Sequence, residues 1–399
     1  MPENLTPIET NKNENSMSLD EALIKYQDEL LDKKLKLPKF HKSKGDTLYN
    51  LGSTLVRMGR LEEAILKYQE ALAIYKLNQP ECESSITDIL NNLANIYQGQ
   101  GHFEKALPLY QEALAVKKRI DPEDIFISQT LHNFANCLKN VGRLDEALIK
   151  YQESLRIKRL KLPENHVSIA KTLNNISGIF QDQGKLSEAN NTCKEALNIY
   201  RKVLPENHFL IEKTVNNFAI TLQKQHNFEE ALFYYQEVLS IKKSVLKEDH
   251  PSIADTHSDI GTILANMSNF NDALNEYNKA FSIYKLALPE NHITLANSLF
   301  NIATVYSDLN KFEESLIKYQ EALTIYRLNQ PDSDSSIADI LNNLANIHQG
   351  QGQFEKALSL YQEALVIKKR SLPDDHFSIA QSLHNIGVFE IFSLLNVFS

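Results

Sequence analysis

Residues 103–114 read Phe-Glu-Lys-Ala-Leu-Pro-Leu-Tyr-Gln-Glu-Ala-Leu, and the phrase that ends them, Tyr-Gln-Glu-Ala-Leu, decides the fold. Phe103, Ala106, Leu107, Tyr110, Ala113 and Leu114 fall three and four apart, the spacing of one apolar helix face. The tyrosine of the phrase recurs at Tyr26, Tyr68, Tyr110, Tyr151, Tyr235, Tyr277, Tyr319 and Tyr361, and Cys193 occupies the remaining slot. Every interval is 42 residues except that between Tyr110 and Tyr151, which is 41. The missing residue falls in the link before Ile127, where a loop absorbs a deletion that a helix would not.

Working outward, Leu90, Leu93, Ala94 and Tyr97 form the face of a preceding helix. Gly99 and Gly101 stop that helix, and the short run from Gly101 to Lys105 turns the chain back, so each period is an antiparallel helix pair. A single pair cannot bury both stripes, and successive pairs must therefore stack into a solenoid with a continuous core. Composition agrees with an all-α fold. Twelve Gly and twelve Pro in 399 residues are about 3% each, below the averages of roughly 7% and 5% that turn-rich β architectures exceed.

The residues Leu90, Leu93, Ala94, Tyr97, Gly101, Phe103, Ala106, Tyr110 and Ala113 resemble the tetratricopeptide repeat pattern. The usual unit is about 34 residues. A 42-residue unit with a link such as Leu162–Asn175 is similar to the repeats of kinesin light chain and nephrocystin-3. The resemblance implies a right-handed α-solenoid superhelix of antiparallel helix pairs whose concave groove, lined by the first helix of each pair, binds peptide segments of partner proteins. It implies a non-catalytic interaction scaffold. The alternative is a cargo adaptor of the kinesin-light-chain type, linking cargo to a microtubule motor, but no heptad coiled coil accompanies the repeats here.

The expected organisation is a disordered polar leader at 1–16, a half repeat acting as a capping helix at 17–43, eight tandem repeats at 44–378, and an incomplete ninth repeat at 379–399 whose apolar tail is a truncated or aberrant end that folds back over the last repeat or, as the alternative, a surface for self-association. The copies also record a block duplication. Ala71–Lys118 reappears as Ala322–Lys369 with about three quarters of positions identical.

A net charge of −9 gives no general attraction to nucleic acid or anionic lipid, and no stretch is long and apolar enough to span a bilayer. Three cysteines, Cys82, Cys137 and Cys193, match neither a disulfide framework nor a zinc pattern, and with the absence of a signal peptide they point to the cytoplasm. His166, His208, His250 and His292 recur every 42 residues, too far apart to share a metal, and read as helix-entry residues. No catalytic constellation, cofactor motif or metal site is expected.

Two residues after the first large apolar position of each first helix stand Asn50, Asn92, Asn133, Asn175, Asn217, Asp259, Asn301, Asn343 and Asn385. Asn is a mediocre helix former, so propensity does not place it there. An amide offers a donor and an acceptor to a peptide backbone, or alternatively ties one repeat to the next. Flanking positions include Lys139, Lys171, Lys213 and Lys224, a basic group that would favour an acidic peptide despite the overall charge. A carboxylate clamp fails at Asp255 and Asp259, which would repel the anion.

Overall fold

The computed structural model describes residues 17–329, 333–371, 373, 377–380, 382–384 and 386–387. The leader 1–16, Asn385 and the end of the apolar tail from 388 lie outside the described residues. The chain divides into two compact units, Met1–Val203 and Leu204–Ser399.

In the first unit, α1 (Leu19–Lys36) precedes four helix pairs: α2 and α3 (Lys42–Arg57, Leu61–Leu77), α4 and α5 (Glu83–Gly99, Phe103–Ile120), α6 and α7 (Ile125–Asn140, Leu144–Lys161), and α8 and α9 (Val167–Asp182, Leu186–Val203). Helix α1 starts at a capping box, in which the Ser18 side chain accepts from the Glu21 N–H while the Glu21 carboxylate accepts from the Ser18 N–H at 2.8 Å. Its Ala22, Tyr26 and Leu30 bury against Leu48, Leu51 and the rest of the first core cluster, so α1 covers the apolar face that the first pair would otherwise expose.

The second unit contains α10 and α11 (Phe209–Lys224, Phe228–Val245), α12 and α13 (Pro251–Asn266, Phe270–Ala287), α14 and α15 (Ile293–Asp308, Phe312–Leu328), and α16 and α17 (Asp334–Gly350, Phe354–Ser371). The described residues among 377–387 are helical, and Ile379 is buried. Among the described residues no helix is long and apolar enough to cross a membrane.

The repeat tyrosine is the centre of each pair. Tyr68, Tyr110, Tyr151, Tyr235, Tyr319 and Tyr361 are all essentially inaccessible, as is Cys193 in the same slot. Four residues earlier the helices touch most closely. Ala106, Ala147, Ala189, Ala231, Ala273 and Ala357 have no exposed surface. Where serine replaces alanine, Ser315 reaches across to the Ala303 carbonyl at 2.8 Å, and Ser177 reaches the Ala189 carbonyl at 2.9 Å. The backbones of the two helices are thus one small side chain apart. Replacing Ala106 by Leu should cost about 1 to 3 kcal/mol by overpacking, read as a lowered midpoint of urea unfolding. An unchanged midpoint would disprove this packing.

The histidines at the helix entries are N-caps: the Nδ1 of His166, His208, His250 and His292 accepts from the N–H of Ser168, Leu210, Ser252 and Thr294 at 3.1 to 3.2 Å. His41 does the same for Ser43. Between the two helices of each pair, one residue adopts positive φ. It is Gly59, Gly101, Gly142 and Gly184 in the first unit, with φ of 72° to 77°. In the second it is His226, Ser268, Asn310 and Gly352, the three non-glycines at 57° to 60°. A Cβ at these glycines would meet nothing within 4 Å, so glycine is favoured there by backbone conformation and not by crowding.

Candidate functional site

A cavity of about 620 Å³ opens in the first unit where the first helices of three consecutive pairs lie side by side. Tyr49 enters it from α2, Asp88, Asn91, Asn92 and Asn95 from α4, and Gln129 and Asn133 from α6. Lys117, Asp121, Asp124 and Phe126 form another part of its wall. Asp88, Asn91, Asn92 and Asn95 fall three, one and three residues apart, so helical periodicity gathers them on one face of α4.

The asparagine column is engaged between repeats. Asn133 Nδ2 donates to Asn95 Oδ1 at 2.9 Å, and the Tyr110 hydroxyl donates to the same oxygen at 2.7 Å. One repeat later, Asn175 Nδ2 donates to Asn136 Oδ1 at 3.2 Å, which also accepts from Tyr151. Asn92 and Asn343 donate instead to the hydroxyls of Tyr68 and Tyr319, at 3.4 and 3.0 Å. Asn50 is exposed, while Asn217 and Asn301 are partly buried in the second unit. Asn92 and Asn133 also line the cavity while making these bonds.

The four lysines are not alike. Lys139 lies 3.6 Å from Asp182 across α6 and α8. Lys171 is exposed in the first unit, and Lys213 and Lys224 are exposed in the second. Among the described residues no three His, Cys, Asp or Glu side chains gather to hold a metal, and all three cysteines are buried thiols.

Sequence reasoning missed a second column, seven residues after each repeat tyrosine: Lys33, Tyr75, Lys117, Lys158, Tyr200, Lys242, Tyr284, Tyr326 and Lys368. The restriction of this slot to Lys or Tyr in every repeat was the available signal. Tyr75 and Tyr284 donate to Asp46 and Asp255 at 2.7 and 2.6 Å, and Tyr326 donates to Asn297 at 2.5 Å. Lys33, Lys117, Lys242 and Lys368 each have a carboxylate within 4.0 Å, from Glu29, Asp88, Glu212 and Asp339.

Lys158 differs. It is 2% exposed, its ammonium donates to Thr172 Oγ1 at 2.8 Å, and no described carboxylate lies within 4.0 Å. The position held by Asp88 and Asp339 in the other pairs is Gln129 in this one. Burial, reinforced by the charge on Lys171, pushes the Lys158 pKa down to about 7. Beside it, His132 Nδ1 sits 3.2 Å from Thr172 Oγ1, and burial followed by the charges of Lys158 and Lys171 holds this imidazole well below its usual range.

Where the asparagine column carries Asp259, burial pushes the carboxyl up to about 6; nearby Lys242 opposes the shift and Asp255 adds to it. A carboxyl raised above its unfolded value disfavours the folded state as pH climbs through that window, so stability falls from about pH 4 to pH 6. Asp259→Asn, which restores the column residue, should stabilise by about 1 to 2 kcal/mol at pH 7 and by nothing at pH 3. Equal gains at both pH values would mean that charge is not the cause.

The comparisons agree with this geometry. The family described as a MalT-like TPR region matches residues 38–232, and tetratricopeptide repeat families match 210–286, 252–327 and 337–378. The chain is a tetratricopeptide-repeat protein. No curated protein matches it. Among solved structures, the apo form of RapI is 19% identical, with a TM-score of 0.52, over 71% of this tetratricopeptide-repeat chain and 98% of its own. BtubC (BKLC) from P. vanneervenii is 20% identical over 56% of this chain and 90% of its own, with a TM-score of 0.49. A putative kinesin light chain of Podosopora anserina is 18% identical over 51% and 98%, with a TM-score of 0.47. At these identities the likeness is one of fold.

Proposed function

We propose that the chain is a non-catalytic scaffold that holds peptide segments of partner proteins against the first helices of its pairs. The observation that carries this reading is the cavity of about 620 Å³ walled by amides from α4 and α6, with Tyr49 and Phe126 as apolar surfaces. Amides satisfy the donors and acceptors of a peptide main chain whatever its side chains, and aromatic rings supply contact area at low entropic cost. The test is to pan a displayed library of random peptides on the intact chain. Enriched peptides should bind Asn92→Ala at least tenfold more weakly than wild type while helical content is unchanged. Failure of any sequence to enrich over a scrambled control would overturn the reading.

The expected taste for acidic ligands belongs to the exposed lysines, and each such pair adds only about 0.2 to 1 kcal/mol. Acidic peptides should therefore lose modestly in affinity to Lys171→Glu at low salt and less at high salt. The narrower reading, a motor cargo adaptor in the cytoplasm, is carried by the 42-residue period alone. Co-precipitation of a kinesin heavy chain with the intact chain would test it.

A further inference from the structure

We propose that the first unit takes a carboxylate of its partner segment at Lys158, where the chain omits the counter-charge given to the other lysines of the same column. The inference rests on the scaffold reading and adds the chemistry and the place of one anchoring contact.

The column seven residues after each repeat tyrosine holds five lysines, and four of them keep a carboxylate of their own. Lys33 has Glu29 at 2.5 Å, Lys117 has Asp88 at 3.4 Å, Lys242 has Glu212 at 3.6 Å and Lys368 has Asp339 at 4.0 Å. Lys158 is the most deeply buried of the five, and no carboxylate among the described residues lies within 4.0 Å of it. Its ammonium donates to Thr172 Oγ1 at 2.8 Å and to the Ser168 carbonyl at 3.4 Å, and both acceptors are neutral. The slot that supplies Asp88 and Asp339 elsewhere holds Gln129, whose amide turns to Asn133 Oδ1 at 3.0 Å. The deficit is therefore one of charge, which hydration does not make up.

Other pairs show that an anion on the first-helix side reaches this ammonium. The Asp88 and Asp339 side chains are 46% and 57% exposed, yet they meet lysines whose side chains are only 10% and 8% exposed. A carboxylate entering beside Gln129 would occupy the equivalent slot between α6 and α7. Gln129 and Ser168 both line the cavity of about 620 Å³, so that slot opens onto the surface that holds the peptide in the scaffold reading.

Charge around the slot selects an anion. The groups that face Lys158 are His132 from α6, which burial and two lysine charges keep neutral, and Lys171 from α8, whose charge adds to its own. The cavity's carboxylates are engaged elsewhere: Asp88 with Lys117, Asp121 with the Glu123 N–H and Asp124 with the Phe126 N–H, the last two at 3.0 Å. Without a ligand, burial holds the Lys158 pKa down at about 7, so the amine is mostly neutral at pH 8. A carboxylate beside it favours the ammonium, and binding at that pH draws in a proton.

The experiment pans a displayed library of random 12-residue peptides on the intact chain and titrates the tightest binder calorimetrically at pH 8 in Tris and in HEPES. Binding should weaken about tenfold or more when one Asp or Glu of that peptide becomes Asn or Gln, or when its C-terminus is amidated, which separates the two sources of the carboxylate. The difference in enthalpy between buffers should report uptake of about one proton per peptide by wild type and of none by Lys158→Met. Lys158→Met should also bind about tenfold more weakly, and as the more stable protein it does not lose binding by unfolding. Gln129→Asp supplies the carboxylate from within, as Asp88 does for Lys117, and should repel the peptide's with a similar loss and unchanged circular dichroism. Enriched peptides that bind Lys158→Met as tightly as wild type, or that bind wild type without taking up a proton, would overturn this inference and leave the scaffold reading standing. Absence of any enriched peptide would overturn both.

Discussion

Replacing Lys158 by Met is expected to stabilise the protein at pH 7 by about 2 to 4 kcal/mol and to abolish a pH dependence that wild type shows. The sign follows from linkage. The Lys158 pKa of about 7 in the folded state lies below that of an exposed lysine, near 10.4. At pH 7 and below, the native state bears most or all of the penalty of a buried charge. Between about pH 7 and pH 10 the unfolded chain binds more protons than the native one, so wild-type stability rises with pH. A gap of roughly three pKa units corresponds to at most about 4 kcal/mol. Methionine fills a similar volume without the charge, and Thr172 still donates to the Ser168 carbonyl at 3.0 Å, so the substitution leaves no new orphan there. Urea unfolding of both proteins at pH 7 and pH 10 checks this. A loss of stability in the methionine variant at pH 7 would mean that the ammonium is compensated. Lys117→Met is the control, because it strips Asp88 of its partner and should not stabilise.

Tyr110→Ala should cost about 3 to 5 kcal/mol, the range for deleting a buried aromatic ring. The ring is inaccessible, lies 5.9 Å from Phe134 of the next pair, and its hydroxyl shares Asn95 Oδ1 with Asn133. Removing it opens a void between α4 and α5 and also loosens the bond that ties α6 to α4. Tyr110→Phe keeps the ring and should cost only about 1 kcal/mol. Denaturant midpoints separate the two variants, and near-equal losses would show that the hydroxyl outweighs the packing.

Much of this architecture is legible from Tyr-Gln-Glu-Ala-Leu alone, because a strict period leaves one helical face for the core and one for solvent. The alanines four residues before each tyrosine are readable for the same reason: two backbones in contact admit little else. The lysine of the second column is not readable by hydrophobic pattern. Lys117, Lys158 and Lys368 occupy buried positions that Tyr75 and Tyr326 fill elsewhere, and a long stem with a polar tip packs much as a tyrosine does. The asparagine column is half readable. Sequence places it on the first helices, but whether Asn133 meets a ligand or Asn95 depends on how closely neighbouring pairs approach, which no single repeat encodes. The 3.6 Å contact of Lys139 with Asp182, 43 residues away, is likewise not revealed by the period.

The turns between paired helices are unequally strained in the two units. All four turns of the first unit use glycine at positive φ, whereas three of four in the second hold His226, Ser268 or Asn310 there. A non-glycine residue in that conformation costs on the order of 1 to 2 kcal/mol, less for asparagine. That strain favours opening at these turns of the second unit, and a protease that waits for opening should cut beside them before it cuts at the glycine turns. Brief thermolysin digestion at rising temperature should nick the chain near His226, Ser268 or Asn310 before it nicks the turns at Gly59, Gly101, Gly142 and Gly184. His226→Gly and Ser268→Gly together should delay that nicking, although both residues are exposed.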